Sequence, residues 1–230
     1  MLLGQRFSLL CSGFQVASCK GLVVRFFKQD AQSENERQRR RRANAMHRFN
    51  PTDAVYILPR FAHLYPSSSA TVAGVKLDPH RPIFNTYTVE FADGSNATMF
   101  EFQIIEDLPN YKTVIASMVF DSRRQAASAQ VRGESSGGQI IFRTHQFDLD
   151  LKIRIETARA SLLGQILEKG TTNLLKRLPA VLIKEGRPIR TATSDDTGVF
   201  KFTDVPRGLL NILLTLPQYS VRILGELTIW

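Results

Sequence analysis

Four histidines, His47, His63, His80 and His145, are the side chains best able to hold a metal or move a proton near neutral pH. They are scattered, and the chain contains neither His-Glu-x-x-His nor Cys-x-x-Cys, the spacings that bring ligands to one face. The nearest approach is His145-Gln146-Phe147-Asp148. Its acid begins an alternating strand pattern, so His145 is expected to face solvent in a hairpin. Asp148 and Asp150 would share a strand face about 7 Å apart. Lys152 and Arg154 on that face make it a balanced surface rather than an acid/base pair. Asp195-Asp196 is explained by a turn. No Gly-x-Ser-x-Gly elbow or Gly-x-x-x-x-Gly-Lys phosphate loop occurs, and Glu134-Ser135-Ser136 between Gly133 and Gly137-Gly138 would repel phosphate. No catalytic residue, metal ligand or cofactor is assigned.

One run offers a different chemistry. Arg37, Arg39, Arg40, Arg41 and Arg42 sit within nine residues that cannot bury themselves. They are candidate polyanion-binding residues, although no aromatic side chain is interleaved for base stacking. Of the 30 Lys/Arg and 21 Asp/Glu in the chain, nine and three fall in residues 1–45, giving +6 of the net +9. The remaining +3 gives the body no electrostatic reason to seek nucleic acid. Residues 1–45 are therefore expected to be a basic, disordered extension. A transit-like or lipoprotein role and a true start at Met46 are alternatives for that segment.

A hydrophobic content of 43% over 230 residues is enough for one sizeable domain or two small ones. No apolar run reaches the roughly 18 residues that cross a bilayer. The only cysteines, Cys11 and Cys19, leave the body without a disulfide framework. Compartment is not fixed by these features, with a cytoplasmic one favoured over envelope or organelle.

From Pro51 the pattern turns β-rich. Asp53 to Leu58 and Ala70 to Leu77 read as strands, and Tyr87 to Phe91 with Thr98 to Phe102 as a hairpin about Ala92-Asp93-Gly94-Ser95. Tyr111 to Phe120 is a buried strand or a short helix, and Asp121 to Gly138 a loop. Leu149, Leu151, Ile153 and Ile155 alternate with charged residues, which specifies a half-buried strand. Leu162, Leu163, Ile166 and Leu167 have helical spacing, so Ala158 to Lys169 alone reads as a helix.

The last third is organised by turns. Asp195-Asp196-Thr197-Gly198 suits a tight hairpin with a bulge, followed by Phe200 and Phe202 on one strand face. Val205-Pro206-Arg207-Gly208 makes the next turn. Leu210, Ile212, Leu214 and Leu216 then line one face of a strand whose other face carries Leu209, Asn211, Leu213 and Thr215, as expected of a central strand. This pattern, with Leu163-Gly164-Gln165-Ile166, resembles the carboxypeptidase regulatory-like domain, a small transthyretin-like β-sandwich. It is similar in particular to stand-alone bacterial proteins of that kind. The resemblance makes Leu163 to Leu167 a strand rather than a helix, and Gly164, Asp195, Gly198, Phe200, Phe202, Pro206 and Gly208 its fold-defining residues.

The expected protein is mainly β. It comprises the extension 1–45, a β-rich region 46–157, and a C-terminal Ig-/transthyretin-like β-sandwich over 158–230. The expected function is a non-catalytic interaction module that binds a protein or polymer partner. The alternative is a nucleic-acid- or ribosome-associated protein that uses the arginine-rich arm, the tail being the only nucleic-acid contact.

Overall fold

The computed structural model describes residues 47–123, 137–156, 159–171 and 174–230. Residues 1–46, with the five candidate arginines, lie outside the described residues, as do residues 124–136. The described chain is mainly β, with three five-stranded sheets and one short helix.

The first sheet has the order β4-β3-β2-β1-β5, built from β1 (Ala54–Ile57), β2 (Ser69–Lys76), β3 (Thr86–Glu90), β4 (Asn96–Phe100) and β5 (Ile104–Glu106). All its pairings are antiparallel. Helix α1 (Pro59–Ala62) follows β1, and a single 3-10 turn (Glu101–Gln103) joins β4 to β5. The Tyr87–Phe91 hairpin forms as its alternation requires, but β4 stops at Phe100, so that Phe102 leaves the strand and enters the 3-10 turn.

Two further sheets form a sandwich. The middle sheet has the order β12-β11-β14-β15-β6, from β6 (Lys112–Ile115), β11 (Pro179–Lys184), β12 (Arg187–Thr193), β14 (Gly208–Leu216) and β15 (Val221–Ile229). The outer sheet has the order β13-β10-β9-β8-β7, from β7 (Ser117–Asp121), β8 (Gly137–Arg143), β9 (Phe147–Ile155), β10 (Arg159–Glu168) and β13 (Val199–Pro206). The run Tyr111 to Phe120 becomes two strands, β6 in one sheet and β7 in the other. The chain changes sheet at Ala116, a small buried residue whose N–H donates to Leu224 O at 2.9 Å. Arg159–Glu168 forms strand β10 rather than a helix, paired with β9 along nine residues. Its helical spacing is outweighed by two flanking partners, which satisfy the backbone from both sides.

Asp195 to Gly198 is not a hairpin within one sheet: it carries the chain from β12 in the middle sheet to β13 in the outer one. The turn chemistry is nevertheless as its residues dictate. The Asp195 carboxylate accepts from Thr197 N at 2.8 Å, Thr197 Oγ1 at 2.6 Å and Val199 N at 3.0 Å. Gly198 takes φ +74°. Pro206 ends β13 and Gly208, at φ +116°, opens β14, so this second corner returns the chain to the middle sheet.

The sandwich core joins strands from both sides of residue 158. Ile140, Phe142, Leu149, Leu151 and Ile153 pack with Leu162, Phe200, Phe202, Leu210, Ile212 and Leu214. β14 is buried on both faces: Leu210, Ile212 and Leu214 enter this core, while Leu213 meets Tyr56, Leu58, Ile105, Ile183 and Leu224 between the middle and first sheets. The described residues thus form three layers of sheet, and alternation along β1 divides Val55 and Ile57 from Tyr56 between two cores.

Candidate recognition groove

Where the first sheet rests on the middle sheet, a groove of about 540 Å³ remains open. Its apolar wall is Leu58, Phe61 and Phe102 from the first layer and Leu209 from β14. Each is placed by a local rule. Leu58 leaves β1 on the face of Tyr56. Pro59 starts α1 with its fixed φ, which turns Phe61 toward the groove. The 3-10 turn after β4 aims Phe102 at Phe61, with ring centroids 6.0 Å apart.

The polar groups are Asn211, Glu226, Arg60, Lys184 and Glu185. Asn211 and Glu226 are register partners on β14 and β15. Asn211 is buried, and its amide Nδ2 has no hydrogen-bond partner. Such an orphan donor costs about 1–3 kcal/mol unless something occupies the site. Lys184 Nζ donates to Arg207 O at 3.2 Å, which fixes its ammonium at the groove mouth.

The 3-10 turn is tied down by Glu101. This acid is buried between Phe100 and Phe102, where its carboxylate accepts from Tyr87 Oη at 2.9 Å and from Arg187. Arg48 donates to the carbonyl of Gly186, and its N–H donates to Tyr87 Oη at 3.0 Å. Burial raises the Tyr87 phenol above its ordinary value, with the hydrogen bond to Glu101 acting in the same direction. Burial likewise depresses the Arg48 guanidinium, against the attraction of Glu101 and Glu106.

The residues singled out from sequence are dispersed. His47 precedes β1, His63 follows α1, His80 lies between β2 and β3, and His145 sits in the β8–β9 turn. Asp148 is held by Arg143 at 3.0 and 3.1 Å and approached by Lys169 at 3.6 Å, and these cations keep its carboxyl below the usual range. Asp150 accepts both contacts of Gln139 Nε2, at 2.9 and 2.8 Å. Asp196 faces Arg177. Among the described residues no three His, Cys, Asp or Glu side chains gather as a metal site. No described helix is long and apolar enough to cross a membrane. Arg123 is not available to a polyanion: its buried guanidinium pairs with Asp121 at 2.8 Å, donates to Thr228 O and lies 5.1 Å from the Trp230 ring.

Of the seven residues singled out with the resemblance, Gly164 and Phe200 meet directly. Gly164 lies between Leu151 and Phe200 in register, and a Cβ there would stand 2.1 Å from Phe200 Cζ. The groove residues were not assigned a role from sequence. One signal was present: Asn211 is the single amide in the run Leu209 to Leu214. No family model, curated protein or solved structure matches the chain.

Proposed function

We propose that this protein is a non-catalytic interaction module whose groove receives an apolar segment of a protein partner. The observation that carries this reading is the groove's lining. Leu58, Phe61, Phe102 and Leu209 surround a buried carboxamide with an unused donor, a set that recognises a chain rather than cleaving it. An amide does not titrate, and the apolar wall gains roughly 25 cal/mol for each Å² it removes from water.

A library of random twelve-residue peptides displayed on phage, selected on the full-length chain, tests the reading. Clones that bind the native chain and lose at least tenfold on Leu209→Arg support it. If no selected clone discriminates the two, or if the chain turns over generic peptide or ester substrates in a way that Leu209→Arg abolishes, the reading is overturned.

A further inference from the structure

Four phenylalanines touch in sequence from the groove outward. Phe61 meets Phe102 at 6.0 Å, Phe102 stacks on Phe100 at 5.4 Å with planes 8° apart, and Phe100 meets Phe84 at 6.3 Å. They come from α1, the 3-10 turn, the end of β4 and the Pro82–Phe84 turn. Phe100 and Phe84 are 39% and 43% exposed, and Ile83 beside them 37%. Neither ring belongs to a buried core, and contiguous exposed apolar surface marks interaction sites.

We infer that groove and strip form one track for an extended, apolar peptide segment with an acidic residue at its Phe84 end. The inference rests on the groove reading and names its partner's chemistry. A β-extended chain advances about 3.2–3.4 Å per residue, so alternate residues on one face fall about 6.4–6.8 Å apart, near the 6.0 and 6.3 Å ring spacings. Aliphatic side chains at alternate positions would therefore meet successive rings. At the inner end Asn211 Nδ2 offers a donor to a peptide carbonyl, and Glu226 opposite it an acceptor for a peptide N–H. Arg60 stands at the groove, and Arg81 lies 5.9 Å from the Phe84 ring at the far end. The neighbouring Asp78 turns its carboxylate to the backbone N–H groups of His80 and Arg81 at 2.8 and 2.7 Å. Arg81 at the Phe84 end selects an acidic residue there. In the groove Arg60 and Lys184 are balanced by Glu185 and Glu226, which disfavours a phosphate backbone.

The experiment uses the same selection on the full-length chain, with fluorescence anisotropy for affinities and a twelve-nucleotide oligothymidine as a second probe. Selected peptides should carry aliphatic or aromatic residues at alternate positions and Asp or Glu at one end. Phe84→Ser/Phe100→Ser should weaken them at least tenfold while the variant still melts cooperatively above the assay temperature, since neither ring belongs to a buried core. Arg81→Glu should weaken them several-fold. Peptides lost on Leu209→Arg but indifferent to the Phe84/Phe100 variant would overturn the track while leaving the groove. Basic-flanked peptides, or oligothymidine bound more tightly than any peptide, would overturn the partner chemistry. A selection with no clone sensitive to either variant removes groove and track together.

Discussion

Arg187 places two nitrogens on one oxygen of Glu101: Nη2 at 2.6 Å and Nε at 2.9 Å from Oε1. The pair ties the 3-10 turn of the first sheet to the first residue of β12 in the middle sheet. Because Glu101 lies between Phe100 and Phe102, the same contact orients two rings of the proposed track. The Glu101 side chain is 3% exposed and that of Arg187 51%, so the acid depends on a partner that is itself half solvated. Arg187→Met should therefore cost about 1–3 kcal/mol, below the range for a fully buried pair. Urea denaturation of Arg187→Met, Glu101→Gln and the double variant checks this. The double variant should recover part of the loss, because an uncharged amide beside Met leaves no stranded charge. A strictly additive cycle would show that the contact does not couple the layers.

Gly164 and Phe200 make a second specific relationship. The ring occupies the volume a Cβ would need, with Phe200 Cζ at 2.1 Å and Leu151 Cδ2 at 2.7 Å from its ideal position. Gly164→Ala should destabilise by about 1–3 kcal/mol through overpacking. Phe200→Leu in the Gly164→Ala background should restore part of that. Thermal unfolding of the two variants decides it, and a Gly164→Ala protein as stable as the parent would refute the packing argument.

Much of this architecture was legible because strand alternation is local. Leu149 to Ile155 and Leu210 to Leu216 each declare a buried face with period two, and the Gly94 turn declares its hairpin. Partnership between sheets is not local. Asp195-Asp196-Thr197-Gly198 has the same residues whether it closes a hairpin or crosses between layers, and only the strand order separates the two. The groove was illegible for a related reason. Phe61, Phe102 and Leu209 meet across more than a hundred residues, and each alone reads as an ordinary core residue. Asn211 alone broke its local pattern, and a buried amide in an apolar strand is what a recognition site leaves behind in a sequence.

A boundary at residue 158 cuts between β9 and β10, which pair from Ala160↔Ile155 to Glu168↔Phe147. A fragment of residues 158–230 would lack β6 to β9 and with them Phe142, Phe147, Leu149, Leu151 and Ile153 of the core. It should show no cooperative melt. A fragment of residues 111–230 keeps all ten sandwich strands and should melt cooperatively, although it exposes Ile183, Leu213 and Leu224 and is expected to be less soluble. Circular dichroism melts of the two fragments compare them directly.

The arginine-rich arm predicts its own salt dependence. If Arg37, Arg39, Arg40, Arg41 and Arg42 each neutralised one phosphate of duplex DNA, the logarithm of affinity would fall with log salt at a slope of about −4.5. That is roughly a 500-fold loss between 50 and 200 mM salt. A chain beginning at Met46 should retain none of this binding and keep its peptide binding. Tight DNA or RNA binding by that shortened chain at 200 mM salt would place the contact in the folded body instead.

Two tyrosines set the alkaline limit of stability. Tyr87 is fully buried and Tyr56 nearly so, and burial raises both phenols above their ordinary value near 10. Below about pH 10 the phenols are neutral in folded and unfolded chains, and the packing of both rings contributes in full. Above it the unfolded chain ionises first, so stability is lost as pH rises through the folded values. The slope approaches about 1.4 kcal/mol per pH unit for each tyrosine between its unfolded and folded values. Between pH 10 and 11 the urea midpoint should therefore drop, and Tyr56→Phe should remove part of that drop. Tyr56→Phe is the cleaner substitution, because Tyr87→Phe also strips Glu101 of a donor and Arg48 N–H of its acceptor. A flat profile across this interval, or one that Tyr56→Phe leaves unchanged, would mean that neither phenol is held neutral by the fold.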